Sequence, residues 1–312
     1  MAKFLIVDSM YLTYRSHYAY PNLTNKEGVP TGAFFGYAKT VLQLVNKLGV
    51  DHLVIARDLP SPTFRHEELV EYKANRKPME DVLVQQLPLI DKFCELCTDN
   101  FFSLKGYEAD DIIYSVVSKY SKPENEFYIM SGDRDLYQLF VYDNVSFVKE
   151  ERNYVTLFRR EDFELKYGLK AVQWVDYKAL VGDGSDNFKG LPGVGPVTAT
   201  KLLQEAGSLY NIAQEIGLEN NNFNPIDIGE AKSWAINKKN QAIIDKMVEN
   251  KDLLFQSYML SKLALCDFSS TDLSNKITFE KVLPIFEQNS MNTLVTYYYN
   301  NFGQQLTQEE LF

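Results

Sequence analysis

Histidine and cysteine are scarce: the 312-residue chain holds three of each. So few histidines exclude chemistry centred on imidazole and a histidine-rich metal site. An odd, small number of cysteines excludes a disulfide framework and suits a reducing compartment. Cys94 and Cys97 form a lone CxxC inside an apolar helical stretch; without a second pair they are expected to pack rather than bind zinc. No run of about 18 apolar residues occurs, so no membrane span is expected. The opening MAKFLIVDSM lacks a small-residue cleavage pattern, so no signal peptide is expected and the chain is placed in the cytoplasm. Internal repeats and low-complexity linkers are missing as well. What is in excess is acid. With 42 Asp and Glu against 32 Lys and Arg, the formal net charge is −10, which on its face argues against a nucleic-acid partner.

The length suffices for two domains. KFLIVD (3–8), DHLVIARD (51–58), FFSLKG (101–106) and EFYIMSGD (126–133) predict strands. Helical patterns lie between and after them, at 32–49, 83–97, 108–121 and 133–140. This alternation predicts an α/β fold: a mostly parallel central sheet flanked by helices, over residues 1–165. Beyond that the pattern changes to short helices and glycine turns, predicting a helical domain over 166–312. Between the second strand and the next helix lies LPSPTFRHEELVEYKANRKPMED (59–81), far longer than an ordinary connection of about 2–6 residues. It carries Phe64, Arg65, Tyr72, Lys73, Arg76 and Lys77, but also Glu67, Glu68 and Glu71. A functional loop and a solvated surface helix both fit that composition.

Acids recur where an open α/β sheet binds ligands, beyond the carboxyl ends of its strands. Asp8 and Asp58 close two strands; Asp133 follows a third, with Asp135 two residues on. Glu108, Asp110 and Asp111 open a helix as EADD, and Asp183 and Asp186 sit in GDGSDN. Each group alone has an ordinary structural explanation, EADD as a helix cap and the others as turns. Together, and with so little histidine, they point to hard divalent cations with oxygen ligands, Mg²⁺ or Mn²⁺. So many carboxylates in one pocket repel one another unless cations relieve them, and two ions about 4 Å apart can clamp a phosphodiester for in-line attack. The charge objection then weakens: setting these nine acids aside takes the formal net charge from −10 to −1.

Directly after GDGSDN comes LPGVGPVTATKLL, a helix–hairpin–helix pattern (185–206). Gly193 and Gly195 permit a positive φ and close approach, and the following helix start adds donors for phosphate. Such a turn holds a duplex backbone without reading sequence. A plain glycine turn between packed helices is the alternative. Acids and hairpin side by side make sense if the hairpin grips phosphates of the duplex while the acids hold metals that engage the phosphate to be cut.

LIVDSM, EYKANRKPM, GYEADD, MSGDRDLYQL and GDGSDN…LPGVG occur in an order and spacing that resembles the flap endonuclease, or 5′-nuclease, family. The likeness is nearest to the N-terminal 5′–3′ exonuclease domain of bacterial DNA polymerase I and its free-standing bacterial and phage relatives, and covers roughly two thirds of the chain. The resemblance implies a PIN-like nuclease core and two Mg²⁺ ions. One would be held by Asp8, Asp58, Glu108, Asp110 and Asp111, the other by Asp133, Asp135, Asp183 and Asp186. It makes residues 59–81 an arch over the active site, with Lys73 on the scissile phosphate, Arg76 supporting it and Tyr72 stacked on an unpaired base. Arg15 matches a basic position used on phosphate, and Gly193, Gly195 and Lys201 would bind duplex DNA with K⁺ on the hairpin carbonyls. The chain departs from the pattern in three places. Arg57 stands where an apolar residue is usual, no lysine lies near Val197, and one proline is missing after KPM.

The expectation is therefore a monomeric, Mg²⁺-dependent 5′–3′ exonuclease and flap endonuclease acting on 5′ flaps, nicks, 5′ ends and RNA–DNA primers in replication or repair. No polymerase domain follows, so a stand-alone nuclease is expected. The final QEELF, within the tail 303–312, offers Gln308, Leu311 and Phe312 as a short sliding-clamp peptide; a tail packed on its own domain is the alternative. Two rival functions are a non-cleaving branched-DNA binder and an RNA-cleaving nuclease of related fold. A phosphatase with an aspartyl nucleophile is excluded, because no second acid lies two residues after Asp8.

Overall fold

The computed structural model describes residues 1–150, 154–218, 223, 238–267 and 272–303. Its centre is a six-stranded sheet: β1 (Lys3–Asp8), β2 (His52–Ala56), β3 (Phe101–Phe102), β4 (Glu126–Met130), β5 (Val145–Glu150) and β6 (Val155–Phe158). The spatial order is β3-β2-β1-β4-β5-β6, all parallel except β6, which runs antiparallel to β5. β1 is central, with Ile6 beside Val54 of β2 and Ile129 of β4. Its unbroken apolar run follows from burial on both faces. Phe4 and Ile6 enter one core with Val54, Phe127 and Ile113; Leu5 and Val7 enter the other with Leu53, Ile55, Phe34 and Phe93. Chain order reverses between β1 and β4, so the crevice at their carboxyl ends is the sheet's switch point.

The mostly parallel α/β architecture matches the sequence expectation, with local differences. FFSLKG pairs only through Phe101 and Phe102, and DRDLYQLF forms a 3₁₀ helix, Asp135–Val141, not an α-helix. The sequence reading has no counterpart for the β5–β6 pair, the helix Ser9–Ala19 or the short antiparallel pair of Gly182–Asp183 with Phe188–Lys189. That helix buries Ser9, Leu12, Thr13, Ser16 and His17, so its inward face is mostly polar and shows no apolar periodicity.

The first core continues without a break through Trp174, Leu203 and Met247 to Leu254, so the helices after residue 168 share the sheet's packing. The end of the described chain behaves differently. Leu283–Gln288 and Asn292–Asn301 return to the opposite face of the sheet, where Phe279, Phe286 and Tyr298 join Phe34 and Phe93. Thr278 N donates to Cys97 O at 3.0 Å, and Asn46 Nδ2 donates to Asn301 at 3.0 Å. Within the expected helical domain 166–312, Phe279, Val282, Phe286, Met291, Leu294 and Tyr298 are thus buried against the N-terminal core. Cys94 and Cys97 are free and buried in that core. Among the described residues no helix is long and apolar enough to cross a membrane.

Candidate active site

A cavity of about 300 Å³ opens at the switch point and is lined by Asp8, Asp58, Glu108, Asp110 and Asp133 together with Tyr11 and Tyr14. β1 delivers Asp8, which caps the following helix by accepting from Tyr11 N at 3.0 Å and accepts from Ser131 Oγ at 2.8 Å. Asp58 lies two residues past β2 and accepts from Ala109 N at 2.8 Å. Glu108 caps the helix Ala109–Tyr120, whose first turn carries Asp110, and Asp133 follows β4. Burial, with help from neighbouring carboxylates, pushes Asp8, Asp58 and Asp110 up. Asp8 is raised to about 7 by burial and then by Asp58, and Asp110 is raised well above its ordinary value by burial and then by Asp133, Asp8 and Asp58.

Asp111 does not join them. It is fully buried, taking both nitrogens of the Arg65 fork at 2.8 Å each and accepting from Glu108 N and Ala264 N at 3.1 and 2.9 Å. Its two oxygens thus take four hydrogen bonds, and Asp111, expected among the metal ligands, does not line the cavity. Arg65 also donates to Leu260 O and Lys262 O, tying the base of the 59–81 insertion to the helix Lys251–Ser261.

The insertion lies down on the GDGSDN turn. Lys73 N donates to Asp186 O at 3.0 Å, Asn75 to Gly184 O at 2.7 Å, and Asn187 returns a bond to Glu71 O at 2.7 Å. Lys73, held at φ 57°, aims Nζ into the cavity and meets Glu108 at 2.6 Å; Arg76 reaches Asp186 at 2.7 Å. Tyr72 is 3% exposed, with its hydroxyl on Asp186 and Glu108 at 2.9 and 3.2 Å. The ring expected to stack on a base is enclosed here by the insertion and the GDGSDN turn. The aromatic rings facing the cavity are Tyr11 and Tyr14. Arg57 turns away, toward Met10 Sδ and Asp91.

Asp135, Asp183 and Asp186 form a neighbouring set outside the cavity wall. The sequence reading missed its centre, Lys178, which pairs with Asp135 at 2.7 Å and also contacts Asp183. Burial pushes Asp135 up to about 7, Asp133 adding and Lys178 opposing. Burial would raise Asp183 too, but hydrogen bonds from Lys178 and Ser185 outweigh it and hold that carboxyl at about 2. A lysine five residues before Asp183, in the mostly apolar helix Trp174–Val181, was the available signal.

The hairpin forms as expected. Gly193 adopts φ 74°, Gly195 caps the helix Pro196–Ala206, and both glycines, Val197 and Lys201 are exposed. A second missed cation appears here: a Cβ on Gly193 would lie 2.7 Å from Nζ of Lys246, on the helix Lys238–Glu249. Arg15 sits half-buried one helical turn beyond Tyr11. Gln308, Leu311 and Phe312 lie outside the described residues.

The donor set suits a hard divalent cation. Five carboxylates share a cavity in which burial keeps Asp8 and Asp110 from ionising freely, so positive charge is what the site lacks. Among the described residues no three of these side chains already close on a single point.

The chain matches the family model for the 5′-3′ exonuclease N-terminal resolvase-like domain over residues 3–168 and that for the 5′-3′ exonuclease C-terminal SAM fold over 169–280. DNA polymerase I of Thermus thermophilus is 40% identical over 212 residues, covering 68% of this chain and 25% of that protein. The Thermus aquaticus enzyme is 35% identical over 277 residues, covering 89% of this chain and 30% of that protein. The chain thus spans roughly a quarter of the length of these relatives. Among solved structures, the bacteriophage T5 D15 flap endonuclease, in a complex with DNA and metal ions, superposes with a TM-score of 0.64 at 22% identity, covering 84% of this chain and 89% of that one. At that identity the likeness concerns the fold.

Proposed function

Because the chain belongs to the 5′-3′ exonuclease family, we propose that it is a structure-specific 5′ nuclease that hydrolyses DNA phosphodiesters at 5′ flaps, nicks and 5′ ends, including RNA–DNA primers. One observation carries the reading: Asp8, Asp58, Glu108, Asp110 and Asp133 converge on a single cavity at the sheet's switch point, directly beneath Lys73 and Arg76.

These five acids would hold one Mg²⁺, and Asp133 with Asp135, Asp183 and Asp186 a second. When bound, the ions supply positive charge for the reacting phosphate and lower the pKa of a water. The chain's own residues do the rest. Lys73 and Arg76, which pair with Glu108 and Asp186 here, would present charge to the scissile phosphate. Tyr14, at the cavity rim, supplies the ring on which an unpaired base stacks. Gly193, Gly195, Lys201 and Lys246 anchor duplex phosphates at a fixed distance from the cut, with K⁺ on the hairpin carbonyls. Cleavage would leave 5′-phosphate and 3′-hydroxyl ends, and the enzyme would act as a monomer in primer or flap removal.

The test is cleavage of 5′-labelled flap, nicked and RNA–DNA substrates in Mg²⁺ against EDTA, for wild type, Asp135→Asn and Lys73→Ala. Cutting near the junction should require Mg²⁺ and fall on the order of 100-fold or more in each variant, with flap binding kept in Asp135→Asn. Binding without cutting in Mg²⁺ would establish a branched-DNA binder, and cutting confined to RNA an RNA nuclease.

A further inference from the structure

A second cavity, of about 250 Å³, opens beside the acidic one, with Tyr11, Arg15, Gly132, Tyr137, Phe147 and Lys149 among its walls. Tyr11 and Gly132 line both cavities, whereas Lys73 and Arg76 line only the acidic one. The Tyr11 ring stands at their common boundary. It lies so close over Gly132 that a Cβ there would sit 2.3 Å from Tyr11 Cε2, so only glycine lets the ring stand as a shared wall. The second cavity therefore flanks the acidic one on the side away from the arch, at the end of β4 and along the last residues of β5.

Its chemistry is the reverse of its neighbour's. No carboxylate lines it; its charged groups are Arg15 and Lys149, and its remaining bulk is largely aromatic. Lys149 is exposed, with its ammonium 4.2 Å from the centre of the Phe158 ring on the neighbouring strand. Cations beside flat apolar rings suit a ligand that joins an anionic group to a ring, which is the chemistry of a nucleotide. The volume admits one such unit and no duplex.

We infer that this cavity is a nucleotide subsite. It takes the nucleotide next to the scissile phosphate on the side away from the arch, with its phosphate on Arg15 and Lys149 and its ring against Tyr11. The inference rests on the nuclease reading and adds Lys149 and Tyr11 to it. The acidic cavity needs metal before it tolerates a phosphate, but this one does not. It would hold the strand in register before any ion binds.

The experiment uses flap substrates in which a single neutral methylphosphonate replaces each phosphate around the cut in turn, with binding followed by fluorescence anisotropy in EDTA. Wild type is compared with Lys149→Gln, an exposed substitution whose melting temperature in the absence of DNA is checked alongside. One neutral linkage, adjoining the cut, should weaken wild-type binding about 3- to 10-fold and have no further effect in Lys149→Gln. That variant should bind the unmodified flap more weakly by a similar factor, with a log–log salt slope smaller by about 1. Unchanged affinity in Lys149→Gln, or equal sensitivity of both proteins at every linkage, overturns the subsite while leaving Mg²⁺-dependent cutting intact. A wild type that neither binds nor cuts the unmodified flap overturns the nuclease reading instead.

Discussion

Asp8 sits in a conflict between fold and charge. The helix cap and the Ser131 hydroxyl favour its carboxylate, yet burial and Asp58 lift the group to about 7 from an ordinary 3.8. Between those values the folded chain holds a proton that the unfolded chain has released, so stability falls as pH rises through that window and levels off above it. Without metal, the protein should melt lower at about pH 7.5 than at about pH 5.5, and Asp8→Asn should recover about 1–3 kcal/mol at the higher pH. Calorimetry in EDTA checks both, and saturating Mg²⁺ should stabilise wild type far more than the variant. Asp176 supplies an internal control. Burial raises it to about 7 as well, but it accepts from Leu209 N in the helical part and lines no acid-rich cavity, so its share of the pH dependence should persist with Mg²⁺ present. At this scale the acids were legible as a set, because each ends a strand, opens a helix or sits in a turn. The partners were not. Asp111 is chemically identical to Asp110 in the sequence, and only the Arg65 fork distinguishes a structural carboxylate from one facing the cavity.

At the level of elements, the 59–81 insertion owes its placement to Arg65. Replacing that buried guanidinium with Met leaves Asp111 an unpaired buried charge and should cost about 3–5 kcal/mol in urea denaturation. Arg65→Met combined with Asp111→Asn should regain a large part of it, since neither charge is then stranded. The hairpin gives a contrasting case. Gly193 was readable because its positive φ demands glycine, but the hairpin's second cation arrives from a later helix, Lys238–Glu249, and left no local trace. Lys246→Ala should weaken duplex binding several-fold and lower the salt slope by about 1, while cleavage at saturating substrate stays near wild type. A fall in saturated rate with unchanged affinity would place Lys246 in the chemistry instead. The helix Ser9–Ala19 went unread because its buried face is built of serines, threonine and histidine, packed where apolar periodicity has nothing to report.

Across the whole molecule, the return of residues 277–302 to the sheet decides how the protein holds together. Phe286 is fully buried between Phe34 and Phe93, so Phe286→Ala should destabilise the protein by about 3–5 kcal/mol in chemical denaturation. A loss confined to the helical part, with β1 and the helix Gly32–Leu48 keeping their hydrogen-exchange protection, would contradict that packing. The sequence by itself determined the alternation of strands and helices, the parallel sheet, the glycine hairpin and the acids at strand ends. Each of these follows from side-chain spacing and backbone preference within a few residues. Tertiary structure alone decided that Asp111 leaves the cavity and Lys178 sits among the acids behind it, that Tyr72 is enclosed while Tyr14 is not, and that the last helices turn back to the first strand. Those outcomes depend on which distant surfaces meet, and the burial and charge pairing that select them exist only once the chain has closed on itself.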